Sequence, residues 1–99
     1  MARFDIFENR SGAGYLLDIQ SGLLSGLNTR VVVPLLPKAK APCPAQGLNP
    51  VFIVERQEVV MATQYMAAVP ASELRSSIGN LAEQQDEISA ALDMLFLGF

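Results

Sequence analysis

The hydrophobic period of this sequence changes once, at Asn80. Upstream of that residue, apolar side chains alternate with polar ones or form short β-branched runs that Gly and Pro interrupt, as half-buried strands do. Downstream, they recur at the spacing of one helix face. This order predicts a mainly β fold with one C-terminal α-helix. Because 99 residues leave no room for a second independent core, we expect a single domain over residues 1–99.

Two strands and a hairpin loop are predicted near the N-terminus. Residues 3–7 alternate polar with apolar side chains, which places Phe4 and Ile6 inward, toward the region of Tyr15. Residues 15–20 form a second strand, which should pair antiparallel with the first. The residues between them are turn formers, and we expect a mobile loop made of Asn9, Arg10, Ser11, Gly12, Ala13 and Gly14.

The middle of the chain contains a strand, a connection and a second hairpin. Residues 30–36 are a β-branched strand, which Pro34 should place at a sheet edge or bend at a bulge, because proline donates no backbone hydrogen bond. Residues 37–50 contain four prolines and predict a long irregular connection. Residues 51–54 and 59–63 flank a charged turn and predict the hairpin.

The helix has a well-marked beginning and an unusual end. Asn80 suits the N-cap, and Glu83 stands three residues later, as in a capping box. The last turn is hydrophobic almost all round, so residues 97–99 either pack on the sheet or bind a partner, and the pattern alone favours neither. The stripe expected to pack on the sheet consists of Ile88, Leu92, Leu95 and Phe99, widened by Ala91 and Phe96.

The composition indicates a protein partner. Hydrophobic residues make up 51% of the chain and charged residues 17%, against about 45–50% and about 25% in typical domains. Apolar loop residues such as Leu23 and Leu24 need cover, which favours a homodimer. The net charge of -3 and the absence of a basic stripe argue against direct nucleic-acid binding. No apolar run is long enough to span a bilayer, so we expect a cytoplasmic protein without membrane contact.

Side chains for catalysis are scarce. The sequence has no histidine, so its one cysteine, Cys43, lacks a partner for a metal cluster or a nucleophile pair. The acidic residues of the first helical turn are explained by the helix dipole. We therefore expect no enzyme, no metal and no cofactor. Four of the five arginines each occur alone and are interpreted as solvated surface residues: Arg10, Arg30, Arg56 and Arg75.

Four segments occur in an order and spacing typical of a known family. They are Asp18-Ile19-Gln20-Ser21, Arg30-Val31-Val32-Val33-Pro34-Leu35, Met61-Ala62-Thr63 with Met66-Ala67-Ala68-Val69-Pro70, and Phe96-Leu97-Gly98-Phe99. In these segments the chain resembles the CcdB toxins. The resemblance covers nearly the whole chain, and its largest departure lies in residues 37–50.

The resemblance implies an SH3-like twisted antiparallel β-barrel with a small additional sheet and one C-terminal α-helix, assembled as a homodimer. It also implies the toxin of a type II toxin–antitoxin system, which binds and poisons the A subunit of DNA gyrase. A cognate CcdA-type antitoxin would neutralise the toxin and, together with it, repress their operon.

The resemblance also implies where the partners bind. Antitoxin binding is expected at the hairpin loop from Asn9 to Gly14. At the chain end, Leu97 stands where the family has tryptophan and lacks that residue's ring and indole donor, whereas Gly98 retains the helix-end geometry. The gyrase-binding positions carried over are Leu97, Gly98, Phe99, Leu23, Leu24 and Asp93.

Two alternative functions remain open. The same fold class includes MazF-type endoribonucleases, although the lack of histidine and of clustered arginine disfavours RNA cleavage. The other alternative is a divergent, non-toxic family member that binds only the antitoxin. An RNA-cleavage assay tests the first alternative, and a gyrase assay tests the second.

Overall fold

The computed structural model describes residues 2–98, whose backbone is mainly antiparallel sheet followed by one helix. The α-helix, α1, spans Gln85–Leu97 and follows a short 3-10 turn, Ala82–Gln84. The described residues therefore confirm a mainly β fold with a helix at its C-terminal end. The strands are β1 (Asp5–Glu8), β2 (Tyr15–Asp18), β3 (Thr29–Pro37), β4 (Val51–Val54), β5 (Gln57–Met61), β6 (Ala67–Pro70) and β7 (Ser77–Asn80).

The strands form one antiparallel sheet in the order β4, β5, β3, β2, β1, β7, and β6 also pairs with β3. The long strand β3 serves three neighbours: its first four residues pair with β6, its middle pairs with β2, and its last three pair with β5. The sheet has the form of an SH3-like half-barrel. Within the described residues all seven strands belong to this one sheet, and only β6 lies off the main strand order.

The main core fills the inner face of the half-barrel. Phe4, Ile6 and Tyr15 are buried there, as the alternation predicted. The strand itself begins later than predicted, at Asp5, because Phe4 has a left-handed backbone conformation with a φ of 72°. The residues that complete this core include Leu17, Val33, Leu35, Val59, Met61, Ile88 and Ala91.

A second, smaller core lies on the other face of the sheet. Phe7 is buried there with Val32 and Leu74, and half-buried Val69 packs against them. Strand β1 is therefore covered on both faces, whereas the polar-apolar alternation predicted one exposed face. Phe7 directly follows Ile6 in β1, so its side chain lies on the opposite face of the sheet, where it belongs to this second core.

The predicted position of Pro34 is wrong, because the residue lies within the central strand β3 and pairs in register with Leu16 of β2. The carbonyl of Pro34 accepts a hydrogen bond from the N–H of Ala62 at 2.9 Å, on the side of the strand away from β2. On that side β3 changes partner, from β6 before Pro34 to β5 after it. A residue without an N–H is tolerated in the middle of the sheet because no partner strand requires its hydrogen bond there.

The second hairpin is confirmed, with a tighter turn than predicted. Strands β4 and β5 are joined by Glu55 and Arg56 alone, and both have positive φ, 50° and 66°. This conformation is that of a type I′ turn, whose twist matches the flanking strands. Glu55 also ties the hairpin to the barrel, because the Tyr15 hydroxyl donates to its Oε1 at 2.9 Å.

We expect the hydrogen bond of Tyr15 to make the protein sensitive to alkaline pH. Burial, the hydrogen bond to Glu55 and the charges of Glu55 and Glu8 raise the pKa of Tyr15 above 10.0. A raised pKa means that folding favours the protonated phenol, so its contribution is present below about pH 10 and is lost as the pH rises through the folded-state pKa. Urea unfolding of wild type and Tyr15→Phe, compared between about pH 8 and pH 11, should show a wild-type advantage of about 1 kcal/mol at the low end that decreases toward the high end. A constant difference would contradict this account.

The helix begins later than the predicted N-cap. Asn80 is the last residue of β7, and its side-chain oxygen accepts from the N–H of Ala82 at 2.7 Å. The N-cap of the 3-10 turn is Leu81 and that of α1 is Gln84, and neither side chain makes a capping bond. The predicted N-cap at Asn80 is therefore wrong, because a 3-10 turn that contains Glu83 separates Asn80 from the α-helix, which starts at Gln85.

The packing face of α1 is narrower than predicted. Ile88 and Ala91 are fully buried, and Leu92 packs against the core from a half-buried position. Phe96 was expected to widen this face, but it is 67% exposed because the helix's last turn extends past the core. No helix within residues 2–98 is long and apolar enough to cross a bilayer.

Candidate functional site

The C-terminal end of α1 presents apolar side chains to solvent. Phe96 and Leu97 are 67% and 59% exposed, and Asp93, one turn earlier, is exposed as well. Phe99, the remaining predicted contact at this end, lies outside the described residues. The described part of the chain end thus has the character of a recognition surface, since neither large side chain of the last turn is buried in the protomer.

Gly98 ends the helix in the left-handed conformation, with φ 82° and ψ 13°. Its N–H lies 3.2 Å from the carbonyl of Asp93 and 3.1 Å from that of Met94, which satisfies two acceptors of the last turn. A Cβ at this position would meet no atom within 4 Å, so glycine is favoured by its backbone conformation and not by lack of space. The helix-end geometry expected for Gly98 is therefore present.

A second exposed apolar surface is the turn between β2 and β3, residues 21–28. Leu23 and Leu24 lie on its 3-10 turn, Gly22–Leu24, and are 95% and 48% exposed, while Leu27 is 52% exposed. The Ser21 hydroxyl accepts from the N–H of Leu23 at 3.2 Å and caps the turn. The loop leucines thus lack cover within the protomer, as the sequence predicted.

A buried polar cluster, Asp18, Gln20 and Arg30, lies at the base of this turn. Asp18 and Arg30 are 0% and 1% exposed, and Oδ2 of Asp18 lies 2.7 Å from Nη2 and 2.9 Å from Nε of Arg30. Nη2 also donates to the carbonyl of Gln20 at 3.3 Å. The interpretation of Arg30 as a solvated surface residue is therefore wrong.

Sequence reasoning missed this cluster because the charges belong to different strands. Asp18 and Gln20 are two residues apart and so lie on one face of the chain, while Arg30 is the second residue of β3. Only the antiparallel pairing of β2 and β3, with Asp18 opposite Val32, brings the carboxylate within reach of the guanidinium. Opposite charges on two strands that follow each other along the chain were the available signal.

The predicted gyrase residues form two surfaces in one protomer. Leu23 and Leu24 lie on the turn between β2 and β3, whereas Asp93, Leu97 and Gly98 lie at the end of α1. Among residues 2–98, no hydrogen bond links the turn to the helix end. A partner that used both surfaces would have to span them.

The predicted antitoxin loop, residues 9–14, is held mainly by Asn9. Its N–H donates to the carbonyl of Gly14 at 3.2 Å, its Nδ2 donates to the carbonyl of Ala13 at 3.4 Å, and its Oδ1 accepts from the N–H of Ser11 at 3.1 Å. Arg10, Ser11 and Gly12 are exposed at the tip. The tip is therefore accessible, while the base of the loop is fixed.

Gly14 is required by the geometry of that base. Its φ is 83°, and a Cβ there would lie 2.1 Å from the carbonyl oxygen of Leu35 in β3. No side chain fits at that distance, and the atom in the way is backbone, which cannot move aside cheaply. The close approach of the loop to β3 thus depends on glycine at this position.

A surface cavity of about 350 Å³ lies beside the loop. One wall consists of Asn9, Arg10 and Ser11 of the loop, and the rest is contributed by Leu16, Val69, Pro70 and Glu73. Its apolar floor between an arginine and a glutamate suits a peptide segment with both apolar and charged side chains. Within residues 2–98, no group of three or more acidic or cysteine side chains is placed to hold a metal ion.

Two solved structures share the fold of this chain. An endoribonuclease in complex with its cognate antitoxin, from a mycobacterial species, superposes with a TM-score of 0.75 at 16% identity, covering 100% of this chain and 98% of that one. The Mycobacterium tuberculosis toxin MazF-mt6 gives a TM-score of 0.73 at 18% identity, covering 93% of each chain. At these identities the likeness establishes a shared fold.

The sequence itself identifies the family. The family model described as CcdB protein matches residues 3–98, nearly the whole chain. The chain belongs to the CcdB family and is a toxin of the toxin–antitoxin class. The resemblance stated from its short segments is thereby confirmed.

Proposed function

We propose that this protein is a non-enzymatic toxin that binds the A subunit of DNA gyrase and poisons the enzyme. The observation that supports the proposal is the helix end, where Leu97 is 59% exposed beside a left-handed Gly98. Membership of the CcdB family supports the choice of gyrase as the target. The binding surface consists of the helix end, from Asp93 through Phe99, together with Leu23 and Leu24. The protein would act in the cytoplasm, with its target.

The proposal includes a CcdA-type antitoxin as second partner, with which the toxin represses their operon. Family membership supports this partner, and the solved relative that carries its cognate antitoxin has the same fold. The proposed site is the loop from Asn9 to Gly14, whose exposed tip borders the cavity floored by Leu16 and Val69. The gyrase-binding and antitoxin-binding surfaces of the toxin would then differ, which allows the antitoxin to bind a toxin that is already bound to gyrase.

We also expect the toxin to be a homodimer, because its apolar surface exceeds what one protomer covers. Outside the surface proposed for gyrase, Leu27 and Tyr65 are each 52% exposed. Sedimentation velocity at about 20 μM should give the mass of two chains, since exposed apolar patches of this kind are usually covered by association. A single-chain mass at that concentration would contradict the dimer.

RNA cleavage is the alternative that a specific observation favours, because a solved endoribonuclease shares the fold. The site chemistry argues against it. Arg30 lies in the central strand β3, and its charge is paired with that of Asp18 in the core. A phosphate would need a free cation to stabilise its developing charge. Incubation with RNA tests this alternative, and specific cleavage fragments would favour it over gyrase poisoning.

Replacing Leu97 with tryptophan tests the proposed docking directly. The larger ring would restore the aromatic side chain of the family at an exposed position, where it can be accommodated without displacing the core. We expect binding to the purified gyrase A subunit, measured by surface plasmon resonance, to tighten by about 10-fold, which corresponds to about 1.4 kcal/mol. The variant Ile53→Trp, at an equally exposed position on β4, is the control and should leave binding unchanged. Unchanged or weaker binding of Leu97→Trp would show that the helix end does not dock as proposed.

A further inference from the structure

The turn that carries Leu23 and Leu24 has no buried side chain of its own. Ser21 is half-buried, and every residue from 22 to 29 is exposed. Burial of apolar surface therefore does not fix the conformation of this turn. Its order depends on hydrogen bonds, of which those within the turn, such as Leu24 N–H to the carbonyl of Ser21 at 3.0 Å, do not attach it to the sheet.

Gln20 attaches the turn to the sheet. Its side chain is buried, and Nε2 lies 3.3 Å from the carbonyl of Leu24 and 3.2 Å from that of Thr29. Oε1 of the same amide accepts from the N–H of Val31 at 3.0 Å. One side chain thus joins Leu24, in the middle of the turn, to Thr29 and Val31, at the beginning of β3.

The Gln20 backbone is held in turn by the buried ion pair. The N–H of Gln20 donates to Oδ1 of Asp18 at 3.0 Å, and the carbonyl of Gln20 accepts from Arg30. Both backbone polar groups of Gln20 are therefore fixed by groups in the core. A buried ion pair is often no more stabilising than a well-packed apolar pair, but this pair also fixes the residue whose side chain holds the turn.

We propose that Gln20 is a positioning residue, which holds the turn of residues 21–28 in the conformation that gyrase recognises. The inference rests on the proposed binding of gyrase by Leu23 and Leu24. Gln20 lies beneath the turn, at 8% exposure, and acts through those leucines. Ordering the turn before binding lowers the entropy lost on association, and this is how a buried amide raises affinity for a partner that it does not touch.

The test compares two buried amides. Gln20→Met removes the tether, and Gln20→Glu keeps an acceptor for Val31 but replaces the donor with a carboxylate oxygen, which repels the carbonyls of Leu24 and Thr29. The matched control is Asn49→Leu, because Asn49 is another buried amide, 5% exposed, whose Nδ2 donates to the carbonyl of Met61 at 2.9 Å and to Oε1 of Gln64 at 2.7 Å, away from the turn. Melting curves show that each variant is folded.

We expect both Gln20 variants to exchange the amide hydrogens of Leu24, Ser25 and Leu27 about 10-fold faster, and to bind the gyrase A subunit about 10-fold more weakly. Asn49→Leu should change neither quantity. The positioning role would be overturned by faster exchange with unchanged gyrase affinity, or by unchanged exchange in both Gln20 variants. In either case, binding of gyrase by the wild type would leave the proposed function intact. Failure of the wild type itself to bind gyrase would contradict the proposed function instead, and the exchange rates would then decide separately whether Gln20 holds the turn.

Discussion

Truncation of the chain after Phe96 is expected to abolish gyrase inhibition while the protein stays folded. The deletion removes Leu97, Gly98 and Phe99, the proposed recognition residues of the helix end. Leu97 and Gly98 are exposed, and the packing of the helix depends on Ile88, Ala91 and Leu92, which remain. Loss of the left-handed cap should cost about 1 kcal/mol, or about 4–8 °C in melting temperature.

The point variant Leu97→Gln separates recognition from capping, because it keeps Gly98. Glutamine is a good helix former, and a substitution at an exposed position changes stability by about 0.5 kcal/mol or less. We expect the concentration needed for half-maximal inhibition of gyrase supercoiling to rise at least about 10-fold, as for loss of a central apolar contact. Ile53→Gln, at 65% exposure on β4, is the control and should inhibit like wild type.

The competing possibility is that the chain end belongs to the core. If Phe99 were buried, the substitution Phe99→Ala would lower the free energy of unfolding by about 3–5 kcal/mol, a large share of a small domain's stability. Activity and melting temperature would then fall together in the truncated protein. If the truncated protein loses gyrase inhibition but nearly keeps its melting temperature, the chain end is a recognition surface. Both quantities must therefore be measured on the same samples.

Breaking the Asp18–Arg30 pair from one side should have the largest effect on stability. In Asp18→Leu, the guanidinium stays in the interior at 1% exposure with no carboxylate, and the N–H of Gln20 loses its acceptor. We expect the free energy of unfolding, from urea titration, to fall by about 3–5 kcal/mol.

The double variant Asp18→Leu/Arg30→Met is the matched control. Removing both charges leaves no buried ion to solvate, so most of the lost stability should return. A single variant that costs less than about 0.5 kcal/mol would contradict the burial of the pair, since surface pairs behave in that way. A double variant as unstable as the single one would show that packing, and not the unpaired charge, accounts for the loss.

Local patterns predicted much of the fold. The two hairpins, the long connection and the helix at the end follow from turn residues and from hydrophobic period, which depend on neighbours in sequence. Pro34 was misplaced and the burial of Phe7 was not predicted, because the environments of both residues depend on other strands. The first lies where β3 changes partner, and the second belongs to a core that forms only when Val32 and Leu74 meet it.

The candidate site was predictable only in part. The exposed leucines of the turn and the apolar helix end could be identified as groups in need of cover, because few polar residues accompany them. Phe96 was assigned to the wrong face, since helical spacing does not indicate where the sheet beneath the helix ends. The tether from Gln20 was not predictable. A buried amide is recognised by its hydrogen-bond partners, which here are the main-chain carbonyls of Leu24 and Thr29, and main-chain carbonyls give no signal in the sequence.

The most direct test of gyrase poisoning is a cleavage assay with purified gyrase, ATP and supercoiled plasmid. The wild-type toxin is expected to accumulate linear DNA covalently linked to the A subunit and to stop supercoiling. Addition of the cognate antitoxin should reverse both effects, and the same toxin preparation should leave RNA intact. Undisturbed supercoiling at toxin concentrations well above that of gyrase, together with specific cleavage of RNA, would contradict the account.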